Sequence, residues 1–292
     1  MEKEIPKLSF NINQSLDIDV MNFTQLFDKI NDPTNHNPFA AHKIEFYLIM
    51  VLTKNSYTHF VDFKSYKLTT GSALFIAKNQ VHHFTEEFGR ADGFFIIFNN
   101  LFTDKHHFIS GNLRLNRLFN YHIETPVITA KEMGQDSFVD IANQLYDEYT
   151  FPNTFAKSEM LSTLLQVLLL KAERAKESQS ISGVKTHWLE TFIAFKDMFE
   201  NEYVNTRSSK AYADKLFISY KLLNDIVKQF TGKTVKAFID SYVTMEIKRY
   251  LVSTTLTVKE ISYKTGFEEP ANMVKYFKKH THSTPLKFRQ QF

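Results

Sequence analysis

The sequence lacks cysteine altogether, since none of its 292 residues carries a thiol. This absence excludes disulfides, thiolate metal ligands and cysteine nucleophiles, and it is typical of a protein kept in a reducing compartment. Glycine is also scarce, at 8 residues against 29 phenylalanines, which leaves little material for a glycine-rich phosphate loop. We therefore expect a cytoplasmic protein with well-packed cores.

Long apolar runs are missing as well. The most apolar stretch, LSTLLQVLLL at residues 161–170, covers half of the roughly 20 residues that a membrane-spanning helix needs. Residues 1–14 begin with alternating charges and never form the apolar core of a secretory signal. These absences predict no membrane association and no export.

Charge is distributed unevenly along the chain. Residues 1–185 hold 18 Lys+Arg against 21 Asp+Glu, a net charge of −3, whereas residues 186–292 hold 17 against 11, a net charge of +6. A basic excess confined to one part of a chain favours an anionic partner for that part, and nucleic acid is the commonest such partner. Solvated lysines on an ordinary helix bundle would give the same bias.

The length and a change of periodicity predict two domains. Six short β-rich segments separated by turn residues fill residues 44–98 and predict a sandwich or barrel. Helical periodicity begins at Lys131, and a second helix over 154–176 has an apolar seam that predicts packing on the β-domain or pairing with another copy of the chain. The seam consists of Leu161, Leu165, Leu168, Ala172 and Ala175.

The stretch AKESQSISGVK at residues 175–185 is polar and rich in serine, which predicts a linker. We therefore place a β-rich domain at 1–176, a linker at 177–185 and a second domain at 186–292. Every segment of the second domain has helical periodicity. The predicted helices span 186–202, 208–215, 219–230, 234–253, 257–265, 269–280 and 284–291.

The all-helical domain contains a repeated plan. SSKAYADKLFIS leads to YKLLNDIVKQFTGKT, and TVKEISYKTGFEE leads to PANMVKYFKKHTHST, each with a short helix, a break of three or four residues and a second helix. This plan is that of a helix-turn-helix, although an ordinary helix bundle would also fit the periodicity. Gly266 lies where the turn requires a positive φ, which glycine adopts at little cost.

The second helix of each repeat has a polar face opposite its apolar positions. A major groove of DNA accepts one helix, so long cations on this face can hold phosphates while shorter polar groups reach base edges. The polar faces consist of Lys221, Asn224, Asp225 and Lys228 in the first unit, and of Ala271, Lys275, Lys278 and Lys279 in the second.

Two stretches, TVKEISYKTGFEEPANMVKYFKKHTHSTPLKFR and ISYKLLNDIVKQFTGKTVKAFI, resemble the C-terminal signature and the first helix-turn-helix of the AraC/XylS transcription regulators. The resemblance covers roughly residues 208–289. In that family, the helix between the two units, here 235–253, holds both recognition helices so that they enter successive major grooves. The resemblance implies Lys221 and Asp225 as base-reading positions of the first unit, and Pro270, Ala271 and Lys275 as those of the second.

This sequence departs from the family pattern at several of these positions. Asp225 replaces a frequent arginine, and its carboxylate can accept a hydrogen bond from cytosine N4 but repels phosphate. Pro270 and Ala271 offer only apolar contacts, for example to a thymine methyl group. Thr281 and His282 stand where the second recognition helix of the family usually ends in Phe-Gly.

The N-terminal stretch HNPFAAHKIEFYLIMVL and the strands after it resemble the cupin-like sensory domain of many AraC-type regulators. In sugar-responsive relatives this barrel holds an effector, and the helices after it form a dimer contact. Cupins also include metal enzymes, but the His-x-His of those enzymes is missing, and adjacent histidines point to opposite faces of a strand. Over a metal centre we therefore favour surface and turn positions, with one or two of the histidines lining a pocket, for the set His36, His42, Glu45, His59, His82 and His83.

The sequence thus predicts an α+β protein, with an N-terminal cupin-like β-barrel carrying two or more helices and a C-terminal all-α double helix-turn-helix domain. We expect a sequence-specific regulator of transcription that binds double-stranded DNA, recruits RNA polymerase, responds to a small-molecule effector and forms a homodimer. No cofactor, metal site or catalytic residue is expected. The alternatives are a metal-dependent cupin enzyme with a helical appendage and a basic protein-interaction module. The effector-binding residues stay unknown, because a one-residue error in strand register exchanges inward and outward faces.

Overall fold

The computed structural model describes residues 16–30, 39–105, 118–121, 125–152, 155–177 and 186–291. These residues divide into two compact units, one on each side of residues 178–185. Apart from Glu177, the predicted linker lies outside the described residues, so the domain limits given above stay a prediction. Within the described ranges, no helix combines the length and the apolar composition needed to cross a membrane.

The N-terminal unit is built on antiparallel strands. The strands are β1 Ile18–Asn22, β2 His42–Lys43, β3 Tyr47–Lys54, β4 Ser56–Val61, β5 Lys64–Thr69, β6 Ala73–Ile76, β7 Val81–His83, β8 Asp92–Phe98 and β9 Val127–Ile128. They form a five-stranded sheet in the order β1-β8-β3-β6-β9 and a four-stranded sheet in the order β2-β7-β4-β5. In the described part of the chain the two sheets are not joined into a closed barrel. The edge strands β2 and β9 contain two residues each, which is too short to carry a ladder from one sheet to the other.

Both faces of the five-stranded sheet are buried. On β3, Ile49 and Val51 belong to the core shared with the helices, whereas Leu48, Met50 and Leu52 belong to the core shared with the four-stranded sheet. A strand that is buried on both faces has no polar alternation. This burial explains the continuous apolar runs YLIMVL and GFFIIF in the sequence.

All helices of this unit but the first cover one face of the five-stranded sheet, and the first packs on the face shared with the four-stranded sheet. The helices of this unit are α1 Phe23–Ile30, α2 Asn100–Lys105, α3 Ala130–Met133, α4 Phe138–Thr150 and α5 Lys157–Glu177, with a 3-10 turn at Glu86–Arg90. The seam of α5, from Leu161 to Ala175, lies in the core beneath the sheet, where every one of its five residues is buried. The seam therefore packs on its own β-domain and is not available for pairing with a second copy.

The described part of the C-terminal unit consists of helices alone. They are α6 Thr186–Glu202, α7 Ser209–Lys215, α8 Tyr220–Thr231, α9 Val235–Ser253, α10 Val258–Lys264, α11 Pro270–Thr281 and α12 Pro285–Arg289. Most of the predicted ends agree with these bounds to within one residue, because a Ser or Thr side chain caps the start of α7, α8, α9, α10 and α12. The long helix α9 packs against α8, α10, α11 and α12, so it supports both helix-turn-helix units.

Candidate nucleic-acid interface

The two helix-turn-helix units share one turn geometry. In the first unit, the N–H groups of Phe217 and Ile218 donate to carbonyls three and five residues earlier, at 3.1 Å each. In the second, the N–H groups of Gly266 and Phe267 make the same pair of bonds at 3.0 and 2.9 Å. The first residue of each pair has a positive φ, +56° at Phe217 and +77° at Gly266. The repeated plan in the sequence is therefore a true structural repeat.

Phe217 holds this conformation with a bulky side chain that is 96% exposed. A left-handed φ costs a residue with a Cβ about 1–2 kcal/mol, and asparagine tolerates it better than most. We expect Phe217→Asn to raise the free energy of unfolding of the C-terminal unit by about 1 kcal/mol. Phe217→Ala, which keeps the strained Cβ and loses no buried surface, is the matched control and should change little. Urea unfolding measures both, and a destabilised Phe217→Asn variant would contradict the strain argument.

The recognition helices α8 and α11 also end alike. Each has 12 residues, and the residue after each, Gly232 or His282, adopts a left-handed φ of +68° or +57°. The N–H of each of these residues donates to a carbonyl four residues earlier at 2.9 Å. His282 thus closes its helix in the conformation that glycine supplies in the first unit, although it stands where the family usually has glycine.

The second unit is tied to α9 by Tyr276. Its hydroxyl lies 3.1 Å from the carbonyl oxygen and 3.0 Å from Oδ1 of Asp240, and it donates to this pair of acceptors. Burial, followed by the charge of Asp240, raises the pKa of Tyr276, so the hydroxyl stays protonated and remains a donor. This contact orients α11 on its supporting helix.

The outward face of α8 carries the predicted polar groups. Lys221, Asp225 and Lys228 are exposed, one turn apart along the helix. The opposite face supplies the core residues Leu223, Ile226 and Val227. The amphipathic pattern thus places two cations and one carboxylate on the solvent side, as the sequence predicts, whereas their assignment to bases and phosphates stays a prediction.

The outward face of α11 is more strongly basic. Ala271, Lys275, Lys278 and Lys279 are exposed, and Pro270 is half-exposed in the first turn. Across the ranges that the structure describes, no carboxylate lies within ion-pair distance of these three lysines. Their charges are therefore available to an external anion.

Asn224 differs from the other predicted contacts. Its carboxamide oxygen accepts a hydrogen bond from the N–H of Val235 at 3.2 Å, and the side chain is half-buried. This bond satisfies one of the free N–H groups at the start of α9. The side chain thus has a structural role in holding the start of α9, whereas its assignment as a DNA contact stays a prediction.

One exposed residue of α11, Asn272, is missing from the sequence-based set. It lies three residues before Lys275 and seven before Lys279, so all three share a helix face. Helical spacing alone would have found it, but the family resemblance drew attention to other positions. A carboxamide in the first turn of a recognition helix is suited to pair with adenine.

More histidines of the N-terminal unit lie inside the fold than the one or two expected. His42, His59 and His82 are buried together in the core rather than at the surface, and Nε2 of His59 lies 3.0 Å from Nδ1 of His82. His83 lies on the opposite face and stacks on Phe60, as strand alternation predicts. Among the described residues, no group of three or more potential ligands has the arrangement of a metal site, and His36 lies outside them.

Comparison with known proteins finds relatives of the C-terminal repeat and of most of the chain. A family model described as "Helix-turn-helix domain" matches residues 212–291. Over 265 residues the chain is 24% identical to the HTH-type transcriptional activator RhaS of Escherichia coli O1:K1 / APEC, and the match covers 86% of this chain and 88% of RhaS.

Two solved structures resemble parts or most of the chain. ToxT from Vibrio cholerae is 13% identical, with 93% of this chain and 97% of ToxT covered and a TM-score of 0.47. The DNA-binding domain of AdpA, solved in complex with a target DNA, is 15% identical, with 35% of this chain and 91% of that domain covered and a TM-score of 0.32.

Proposed function

We propose that this chain, a member of the AraC/XylS family of transcription regulators, reads its DNA site with both helix-turn-helix units together. The observation that carries the proposal is the matched pair of units, with the same turns, the same helix lengths and exposed polar faces. Both units pack on one helix, α9, so their separation is fixed before DNA is bound. Such an arrangement suits two successive major grooves, about 34 Å apart.

Each recognition helix divides into a base-reading part and a phosphate-holding part. The start of a recognition helix faces the base edges, which assigns base reading to Lys221 and Asp225 in α8 and to Asn272 and Lys275 in α11. Cations in the last turn reach the phosphates beside the groove, and Lys278 fits this role. Phosphate contacts fix the register of the protein, and base contacts choose the sequence.

This division predicts that substitutions at two residues of α11 affect DNA binding in different ways. We expect Lys278→Ala to weaken binding to every DNA sequence and to reduce the slope of log affinity against log salt by about one unit, because one phosphate contact is lost. Asn272→Ala should cost about 1–3 kcal/mol on the selected site and little on random DNA. Fluorescence anisotropy with both duplexes at several salt concentrations measures the two effects.

Asn224→Ala supplies the matched control in α8. Since its oxygen serves the start of α9, we expect a loss of folding stability with no change in the ratio of the two affinities. Equal losses on selected and random DNA for Asn272→Ala and Lys278→Ala would contradict the division into base and phosphate contacts.

Selection of bound sequences from a random DNA pool at physiological salt tests the function itself. Two enriched half-elements about one helical turn apart would support paired reading. A pool that stays random, with binding that disappears as salt rises, would favour the alternative of a basic protein-interaction module.

The N-terminal unit is proposed to control this binding through a small-molecule effector. Its sheets enclose an apolar core of their own, and it forms a compact unit separate from the helical one. We propose that effector binding changes how the C-terminal unit is presented to DNA and to RNA polymerase in the cytoplasm, without any enzymatic step. Stoichiometric metal in the purified protein would instead support the alternative of a metal-dependent cupin enzyme.

The proposed homodimer uses the outer face of α5 rather than its buried seam. Met160, Thr163, Val167, Leu170 and Arg174 are exposed there, at alternating intervals of three and four residues. This spacing is that of a helix that pairs with another helix along a straight seam. A second copy of the same helix offers a self-complementary partner about a twofold axis.

Sedimentation of the full chain tests the dimer. We expect a concentration-dependent dimer that the double substitution Val167→Glu and Leu170→Glu converts to a monomer, since two charges would enter an apolar contact. Gln166→Glu, one position from the stripe, is the matched control and should leave the dimer intact. A monomer for the unaltered chain at all concentrations would exclude this interface.

A further inference from the structure

The segment between α6 and α7, residues 203–208, makes a direct contact with the turn of the second helix-turn-helix unit. The contact is close, because a Cβ built on Gly266 would lie 2.2 Å from the carbonyl oxygen of Val204. The segment leads directly into α7, the first helix of the first unit. The two helix-turn-helix units are therefore connected through this segment as well as through α9.

Arg207 is the centre of this contact. Its Nη2 donates to the carbonyl oxygen of Thr265, the residue that precedes Gly266 in the turn. Its guanidinium carbon lies 3.9 Å from the centroid of the Phe267 ring and 5.7 Å from that of Tyr276. A planar guanidinium can stack on a ring and donate in its own plane at once, which an ammonium group cannot do.

The two aromatic partners of Arg207 belong to the second helix-turn-helix unit, and one of them is also joined to α9. Phe267 and Tyr276 pack ring to ring at 5.3 Å, and Tyr276 bonds to Asp240 of α9. On the side of the first unit, the hydroxyl of Tyr212 in α7 donates to the carbonyl oxygen of Thr206 at 2.8 Å. The side chain of Arg207 thus lies between groups that are anchored in different units.

We propose that Arg207 is a positioning residue that fixes the setting of α11 relative to α8, and thereby limits the spacing of DNA half-elements that the protein accepts. The inference rests on the proposed function, because it concerns how two units read one site. Arg207 touches no base in this role. It acts by holding the turn of the second unit against the segment that begins the first.

The test compares affinities for duplexes in which the two selected half-elements are moved one base pair closer or further apart. We expect the unaltered protein to discriminate strongly against both changed spacings. In Arg207→Lys, affinity for the selected spacing should fall about tenfold, while the changed spacings lose less, so discrimination shrinks. A loss that is equal at all three spacings would overturn the proposal and leave Arg207 with a purely structural role.

Arg289→Lys is the matched control. Arg289 also donates to carbonyls, from Nε to Leu251 at 2.8 Å and from Nη2 to Leu256 at 2.6 Å, but neither acceptor belongs to the first unit. We expect this variant to be less stable with unchanged discrimination between spacings.

If Arg207→Lys fails to fold, Phe267→Leu provides a second test, because it removes only the stacked ring. We expect this variant to show the same reduced discrimination between spacings, and unchanged discrimination would also overturn the proposal. Absence of a selected site in the unaltered protein would refute the proposed function instead.

Discussion

Gly266→Ala is expected to destabilise the C-terminal unit by about 3–4 kcal/mol, a large share of the stability of a typical domain. Two costs combine at this position. The positive φ of +77° costs a residue with a Cβ about 1–2 kcal/mol. The new methyl group would also lie 2.2 Å from a backbone oxygen and 2.8 Å from the Cα of Val204, so the backbone itself must move.

Gly232→Ala separates these two costs. Gly232 has a similar φ of +68°, but a Cβ built there meets nothing within 4 Å. We expect it to lose only about 1 kcal/mol, the cost of backbone strain alone. Urea unfolding followed by the fluorescence of Trp188, the only tryptophan, reports on this unit. Equal losses for the two variants would show that the close approach to Val204 does not matter.

The N-terminal unit is expected to lose stability in mild acid. Burial, and then neighbouring histidines, hold the pKa of His59 and of His82 well below their usual range, and Tyr57 hydrogen-bonds to His59. His42 and His83 lie close to the pair, and a charge on either ring would further oppose protonation. The folded protein therefore keeps both rings neutral at a pH where the unfolded chain binds protons.

The direction of this pH dependence follows from proton linkage. Because the unfolded state binds more protons below pH of about 6.5, stability is complete above that pH and falls as the pH decreases toward the lowered pKa values of the folded state. Below that pH, each buried ring lowers the free energy of unfolding by about 1.4 kcal/mol per pH unit, and the two rings together lower it by about 3 kcal/mol per pH unit. Circular dichroism in urea at pH 7.0, 6.0 and 5.5 follows this loss, with Trp188 fluorescence as an internal reference for the C-terminal unit.

The variant His82→Leu tests whether the buried histidines cause this loss of stability in acid. It removes one of the two titrating rings, so the slope of stability against pH should fall by about half, whatever the absolute stability of the variant. A slope that is unchanged in this variant, or a midpoint independent of pH in the unaltered chain, would show that the buried histidines do not control acid stability.

The sequence alone determined most of the helical unit. Its helices end where short-range signals lie: Ser and Thr caps, the glycine at a positive φ, and apolar positions at helical spacing, as in α8. These signals act between residues a few positions apart, so they can be read directly from the chain. The double helix-turn-helix architecture and its exposed lysines follow from them and from the family resemblance.

In the N-terminal unit, the sequence located the six central strands but not their arrangement. The strand β1 and the edge strands β2 and β9 were not predicted, because each is short or is stabilised by a partner far away in the chain, as when Ile18 pairs with Phe98. The open arrangement of two sheets depends on those edges. A cupin-like barrel could be expected from strand order, but its closure depends on long-range pairing.

Only the tertiary structure decided which neighbouring element each of these side chains contacts. The seam of α5 is buried against the sheet, and three histidines share a core. Asn224 accepts a hydrogen bond from the start of α9, and Arg207 contacts the turn of the second helix-turn-helix unit. Periodicity gives the face of a helix but does not tell which neighbour will cover it. Contacts between distant segments are set by how whole elements pack, and for that reason the stabilising and positioning roles of these residues became visible only in the folded chain.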